Sequence, residues 1–329
     1  MHRTFTYRIT PADAGKTILQ FLTARGYSRT VFTHLKRTPE GILLNEVWAH
    51  VTAQVQAGDT LTVHLVEEPD DEKILPLSLP LDVCYEDEDV LIVNKPAGMP
   101  VHPSKLHQDD TLANAVLGYY KAQGISCTFR CITRLDRDTT GLILLAKNML
   151  SASLLSAMMR NRGIHREYLA IVHGTLPECG TICAPIARVS DSGIKRQVDP
   201  VHGEPAVTHY RRIACGDGCS LVSLRLETGR THQIRVHMSY LGHPLLGDTL
   251  YASSPDSSAL DSPAPDSSAL DSSAQIKRQA LHSCRLYFTH PVTGAAIDLT
   301  APLPSDMALL FPRETPSRTE SALLTAPRG

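Results

Sequence analysis

Aromatic residues are scarce in this chain: ten Tyr, six Phe and one Trp make up 5% of its 329 residues. A core of stacked rings is excluded, and the 42% of hydrophobic residues must pack a mainly aliphatic interior. No apolar run approaches the roughly 20 residues of a membrane-crossing helix, so no membrane span and no membrane partner is expected. The opening Met1-His-Arg-Thr-Phe-Thr-Tyr7 lacks the apolar stretch of a secretory signal, and a cytoplasmic protein is the expectation. The length suits one large domain and a small one.

Tight Cys-x-x-Cys pairs are missing too. Six of the eight cysteines (Cys127/Cys131, Cys179/Cys183, Cys215/Cys219) are spaced Cys-x-x-x-Cys and form no four-ligand set, which predicts reduced, structural thiols. His232, His237 and His243 are spaced by five and six residues, which suits neither one helix face nor a zinc signature, so no metal site is expected.

An excess of positive charge is also absent: the formal net charge is −2. Its distribution is uneven. Residues 67–89 carry ten acids against Lys73 alone, and residues 252–272 add four Asp and no base. Residues 130–166 hold seven Lys and Arg against Asp136 and Asp138. Local positive charge, not the isoelectric point, governs phosphate binding. Charge alone fits an ordinary solvated surface as well.

What is present divides the chain. A helix is expected over 11–26, capped by Asp13, striped by Ile18, Leu19 and Leu22 and ended by Gly26. Ser28 opens a second helix with Val31, Phe32 and Leu35, and strands follow over 41–45 and 58–66. This small module spans 1–66. Residues 67–81, acidic and then marked by Pro76 and Pro80, read as a linker. The main region spans 82–312, with strands over 90–93, 142–147 and 168–173. A helix over Leu150 to Arg160 presents Leu150, Leu154 and Met158 on one face and is ended by Gly163. Within 252–278, Asp-Ser-Ser-Ala-Leu-Asp occurs twice, from Asp256 and from Asp266. This predicts a disordered surface insertion, as does the composition of the tail 313–329.

Residues 134–141, Arg-Leu-Asp-Arg-Asp-Thr-Thr-Gly, precede the apolar run Leu142–Ala146. A carboxylate at that junction, between Arg134 and Arg137, is placed for chemistry on an anionic substrate. Alone, Asp beside Arg is more often a surface ion pair. Further segments accompany it in order: Leu91-Ile-Val-Asn-Lys-Pro-Ala-Gly98, Arg166-Glu-Tyr168 and Glu227-Thr-Gly-Arg-Thr-His-Gln-Ile-Arg-Val-His237. Then come Gly-His-Pro-Leu-Leu-Gly-Asp248, Ala280-Leu-His282 and His290-Pro-x-Thr-Gly294. Over roughly residues 82–303 the chain resembles the RluA-type pseudouridine synthases.

The resemblance implies an α+β fold with a long, bent, mostly antiparallel mixed β-sheet around a central basic cleft. It also implies an RNA pseudouridine synthase that isomerises specific uridines in structured RNA after base flipping, an isomerase with no cofactor. The first 66 residues resemble an S-four-type RNA-binding module, with Asn45-Glu46 where that module usually has Asn-Gly. A ribosomal-type module favours large-subunit ribosomal RNA over transfer RNA as partner, and a monomer is expected.

Uridine isomerisation breaks the N1–C1′ bond, turns the uracil and joins C5 to C1′, with no redox step and no energy source. One positioned carboxylate can serve it. The resemblance assigns that role to Asp136. Attack on the sugar, attack on the base and proton removal all remain open. A carboxylate acting as nucleophile in a dehydrated pocket must stay ionised, and an opposed guanidinium favours that. Arg235 is the partner expected to pair with Asp136, with Ile234 beside it at the substrate. Tyr168 is the expected stacking platform, and Arg134 is expected to enter the vacated stack or hold the backbone. Lys95, Arg137, Arg166 and Arg230 are expected at RNA phosphates, as are Arg29 and its neighbours Arg25, Lys36 and Arg37 in the module. Many relatives have His before Arg-Leu-Asp; Thr133 stands here, which predicts an altered substrate preference and not inactivity. The competing readings are a binding-only RNA chaperone, which has no need of Asp136, Tyr168 and Arg235 together, and a histidine-ligated metal hydrolase, which would require bound metal.

Overall fold

A computed structural model describes residues 1–68, 74–125, 127–190, 192–252 and 276–312. The repeat-bearing insertion and the tail 313–329 lie outside them, except that the chain is already packed by Ile276, which is 2% exposed.

The N-terminal unit is a four-stranded antiparallel sheet, order β1-β4-β2-β3, covered by two short helices. Its strands are β1 (His2–Arg8), β2 (Ile42–Leu44), β3 (Val47–Trp48) and β4 (Thr60–Val66). Strand β1, absent from the sequence reading, pairs with β4 along its whole length. Helix α1 is Ile18–Thr23 only. Its cap is Thr17, which accepts from the Gln20 N–H while Gln20 returns the bond, not Asp13. Asp13 instead pairs with Lys16 and Arg25. Helix α2 (Arg29–Leu35) starts after Ser28 and buries Val31, Phe32 and Leu35.

The main unit is a nine-stranded sheet, order β5-β6-β7-β14-β8-β13-β12-β9, with β15 on β14. In chain order its strands are β5 (Val83–Glu86), β6 (Val90–Lys95), β7 (Thr140–Ala146), β8 (Ile164–His173), β9 (Cys179–Cys183), β12 (Val207–Gly216), β13 (Cys219–Leu226), β14 (Leu281–Thr289) and β15 (Ala296–Thr300). Pairing is antiparallel throughout except β7 against β14. A separate hairpin joins β10 (Ile186–Arg188) to β11 (Arg196–Val198). The helices are α3 (Leu112–Ala122), α4 (Met149–Arg160), α5 (Gln233–Tyr240) and α6 (Ser305–Ala308). None of them is long and apolar enough to cross a membrane among the described residues.

Central β7 is buried at every position, as expected for a strand covered on both faces. Gly141 on it has φ +111°, and a Cβ there would meet the Ser283 backbone at 2.3 Å, so only glycine lets β14 run alongside. Helix α4 departs from the expected stripe: it buries Leu150, Ser151 and Leu155, while Leu154 packs on the N-terminal core. The turn after it uses Arg162 at φ 57°, one residue before Gly163.

The proline-rich stretch after residue 73 packs on the main unit. Leu77 donates to the Asn114 carbonyl, and a Cβ on Gly118 would sit 1.9 Å from the Leu77 carbonyl oxygen. Buried Glu67 pairs with Arg130 and accepts from the Met149 N–H (2.8 Å) at the start of α4. Arg3 of β1 reaches Asp89, 2% exposed, at 2.9 Å. The two units are therefore joined by ion pairs and by Leu150, which belongs to the N-terminal core.

Candidate active site

Asp136 sits in the loop between Arg134 and Thr139 that feeds β7. Its carbonyl accepts from the Thr139 N–H, closing a tight turn. Two cations hold the next two carbonyls from behind: Lys95 Nζ donates to Arg137 O at 2.7 Å, and Arg278 Nη1 to Asp138 O at 3.2 Å. Lys95 also donates to Pro96 O (2.7 Å) and Met99 O (2.9 Å), which uses all three of its protons. Burial pushes its pKa down to about 7, against the pull of Asp138 and Asp136. At 1% exposure Lys95 cannot meet a phosphate, which corrects the expectation for it. Arg137 turns outward onto Asp138 and does not line the cleft.

Helix α5 supplies the partner. It starts from His232, whose φ of 58° lies in the left-handed region. Gln233 fastens this start: its carbonyl oxygen accepts from Arg230 N and Thr228 Oγ1, and its amide donates to Val207 O and Thr208 Oγ1. Arg235, in the first turn, donates from Nη1 to Asp136 Oδ2 at 2.9 Å. Its Nε and Nη2 form a bidentate pair with Asp248 at 2.7 and 2.9 Å. Burial opposes the charge on Arg235, but Asp248 and then Asp136 outweigh it, so its pKa lies above the ordinary value. The Tyr251 ring lies 5.0 Å from its guanidinium carbon.

Tyr168 of β8, 4% exposed, faces the same cleft as Asp136, Ile234 and Arg235. The cleft is open to solvent and lined by both charged and apolar side chains. Arg134, Arg166 and Arg230 also line it. Arg166 carries a buried Nε with no hydrogen-bond partner among the described residues, while Arg230 is tied to Glu204 and to Pro205 O. Arg29, Lys36 and Arg37 are exposed on or just after α2, outside the cleft lining. Arg25 is committed to Asp13 and lies over the Phe21 ring at 3.5 Å.

Thr133 is 2% exposed, and its Oγ1 accepts from the Leu144 N–H at 2.9 Å. It points into the sheet, so this position does not order a substrate strand directly.

Three residues were missed from sequence. His232, set aside as a metal candidate, has Nε2 3.7 Å from Asp136 Oδ2. Asp248, whose side chain is 0% exposed, anchors Arg235. Tyr251 bonds His232 Nδ1 at 2.8 Å. The signal available was their place in or beside the quoted motifs. His237 instead bonds Thr208 and Ala184, and His243 bonds His173 O, so the three histidines do not converge. Among the described residues one group, Asp87, Asp89 and His290, has metal-like spacing. Its carboxylates are occupied by Arg3, Asn148, Ser151, Tyr85 and backbone N–H groups, and none of the three lines the cleft. No disulfide joins any of the eight cysteines, all of which lie among the described residues.

Residues 89–240 match the family model described as RNA pseudouridylate synthase. The chain is 40% identical over 299 residues to an uncharacterized RNA pseudouridine synthase, YjbO, of Bacillus subtilis (strain 168), covering 91% of this chain and 99% of that protein. It is 40% identical over 258 residues to the ribosomal large subunit pseudouridine synthase D of Pasteurella multocida (strain Pm70), with 78% of each chain covered. Among solved structures, Human RNA Pseudouridylate Synthase Domain Containing 1 aligns with a TM-score of 0.57 at 26% identity, over 76% of this chain and 97% of that one.

Proposed function

The chain belongs to the RNA pseudouridylate synthase family, and from that premise we propose that Asp136 is its catalytic carboxylate and that the cleft receives one uracil turned out of a structured RNA. The family reaction is the isomerisation of uridine in RNA to pseudouridine. The observation that carries the site assignment is the line Asp136–Arg235–Asp248, with Tyr168 in the same cleft. Three separate stretches of the sequence converge there on the Asp136 carboxylate.

The division of labour follows from the geometry. Asp248 and Asp136 hold Arg235 from two sides, so the guanidinium cannot swing away when substrate enters. Arg235 in turn occupies Oδ2 of Asp136 and leaves Oδ1 for the reacting nucleotide. Tyr168 offers a flat ring for the base, and Ile234 adds apolar surface beside it. Extruding a base costs a few kcal/mol, and such stacking surface offsets it. Arg134, exposed on the rim, reaches the space the base leaves. Arg166, with no carboxylate partner among the described residues, serves a phosphate, and Arg230 is a second backbone contact.

The substrate is large-subunit ribosomal RNA in preference to transfer RNA. Curated relatives named ribosomal large subunit pseudouridine synthase D support this. The N-terminal unit acts as an S-four-like RNA contact through Arg29, Lys36 and Arg37, and the enzyme works as a cytoplasmic monomer. Mapping pseudouridines in ribosomal and transfer RNA from cells with and without this gene tests the assignment. Loss of one or more sites in large-subunit ribosomal RNA is expected. Loss confined to transfer RNA would overturn the substrate reading.

A further inference from the structure

His232 combines features that a merely structural histidine does not need. Its backbone is left-handed, a conformation that costs a non-glycine residue of order 1 kcal/mol and that gathers at functional sites. Its side chain is 10% exposed and lines the cleft beside Asp136. Its two ring nitrogens have different neighbours. Nδ1 meets Tyr251 Oη at 2.8 Å, and Nε2 looks at Asp136 Oδ2 from 3.7 Å.

The third member of the chain favours one tautomer. Tyr251 Oη accepts from the Arg196 N–H at 2.9 Å, so its own proton is free to go to His232 Nδ1. With Nδ1 acting as acceptor, the ring proton sits on Nε2 and points at Asp136. Two donors then address one carboxylate oxygen, Arg235 Nη1 and His232 Nε2–H, and both address Oδ2.

We propose that His232, with its tautomer set by Tyr251, is a positioning residue for Asp136: as the cleft fills it closes onto Oδ2 and leaves Oδ1 as the oxygen that reacts. This rests on the reading of Asp136 given above. A contact of 3.7 Å is long for a hydrogen bond, and such contacts tighten when substrate expels water. Burial also depresses the pKa of His232, with Asp136 opposing and Arg235 and Arg196 assisting, so the ring is neutral near pH 7 and keeps the stated tautomer. The charged and titratable groups facing it are Asp136 on the loop before β7, Arg235 on α5, Arg196 on β11, and Asp248 and Tyr251 after α5.

The test is single-turnover tritium release from RNA carrying C5-tritiated uridine, with RNA affinity and melting temperature measured on the same proteins. His232→Asn accepts the left-handed backbone but is too short to reach Asp136. Its rate should fall about 100-fold, the scale of losing one aimed donor, with RNA affinity within about twofold of wild type. His232→Gln keeps a donor near the Nε2 position and should recover most of that loss. Its acid limb should lie at lower pH, because the imidazole no longer titrates. Tyr251→Phe keeps the ring against Arg235 and removes only the hydroxyl; about a tenfold slower rate at unchanged affinity is expected. A wild-type rate for His232→Asn overturns the proposal, and so do equal losses in the Asn and Gln variants that track melting temperature. No release by the wild type removes the Asp136 account itself, whereas normal wild-type release with an indifferent His232→Asn removes only the role of His232.

Discussion

Arg235 is shared by two carboxylates in different surroundings: the side chain of Asp248 is 0% exposed, that of Asp136 25%. That asymmetry separates anchoring from chemistry. Truncating Arg235 to Ala strands a buried carboxylate, a change that costs about 3–5 kcal/mol. We expect Arg235→Ala to unfold at much lower denaturant than Asp136→Asn, which leaves the Arg235–Asp248 pair intact and should melt close to wild type. Urea titration of both variants checks this. Lys95 gives a pH signature. Its folded pKa, about 7, lies below the ordinary 10.5. Between those values the unfolded chain binds the extra proton, so this residue's contribution to stability rises with pH across the window. Below about pH 7 the full cost of burying the ammonium is present. The melting temperature of wild type relative to Lys95→Met should therefore climb from about pH 7 towards 10.5. A flat difference would contradict the assignment. The sequence motifs brought Lys95, Asp136, Tyr168 and Arg235 into view, but not the direction of each side chain. Lysine after a strand looks available for phosphate until the fold closes three carbonyls around it. Thr133 looked like a missing substrate contact until its hydroxyl was found on the β7 backbone.

The elements repeat that lesson. Helix α2 and strands β6 and β7 lie close to the expected bounds, and helix α4 does too, although its buried face is not the expected stripe. Helix α1 is shorter than expected because Thr17 and Gln20 close a capping box at Ile18, while Asp13 pairs with Lys16 and Arg25 instead of capping. Helix α5 was invisible: it follows a left-handed residue with no side-chain cap, and Arg and His interrupt its apolar positions. The β2–β3 turn shows a departure that the fold tolerates. Asn45 and Glu46 have φ of 50° and 68°, the two positive values that a two-residue I′ hairpin requires. Glu46 is exposed and holds this conformation against its own preference. Glu46→Gly should raise stability by roughly 0.5–1 kcal/mol, the strain relieved less the entropy glycine adds to the unfolded chain. Thermal melting with a lower midpoint for the variant would refute this.

Across the molecule the net charge of −2 conceals two separate populations. Part of the acidic stretch is paired within the protein: Glu67 with Arg130 and Asp89 with Arg3 where the two units meet, Glu86 with Lys147 inside the main unit, and exposed Glu88 with Arg3. In the cleft, by contrast, Arg134 and Arg166 line the opening without a carboxylate partner among the described residues. Sequence could count these charges but could not pair them, because the partners lie some 60 to 86 residues apart. If the cleft arginines meet phosphates, Arg134→Ala and Arg166→Ala should each lower the slope of log affinity against log salt by roughly 0.7–0.9. Unchanged slopes would place the RNA backbone elsewhere. Uridine isomerisation at Asp136 is the claim on which the rest of the account depends. Tritium release from C5-labelled uridine in large-subunit ribosomal RNA, wild type against Asp136→Asn, tests it most directly. Release by the wild type is expected, with none above background from an Asp136→Asn protein that still binds the RNA; normal release by Asp136→Asn would rule out Asp136 as the reacting carboxylate.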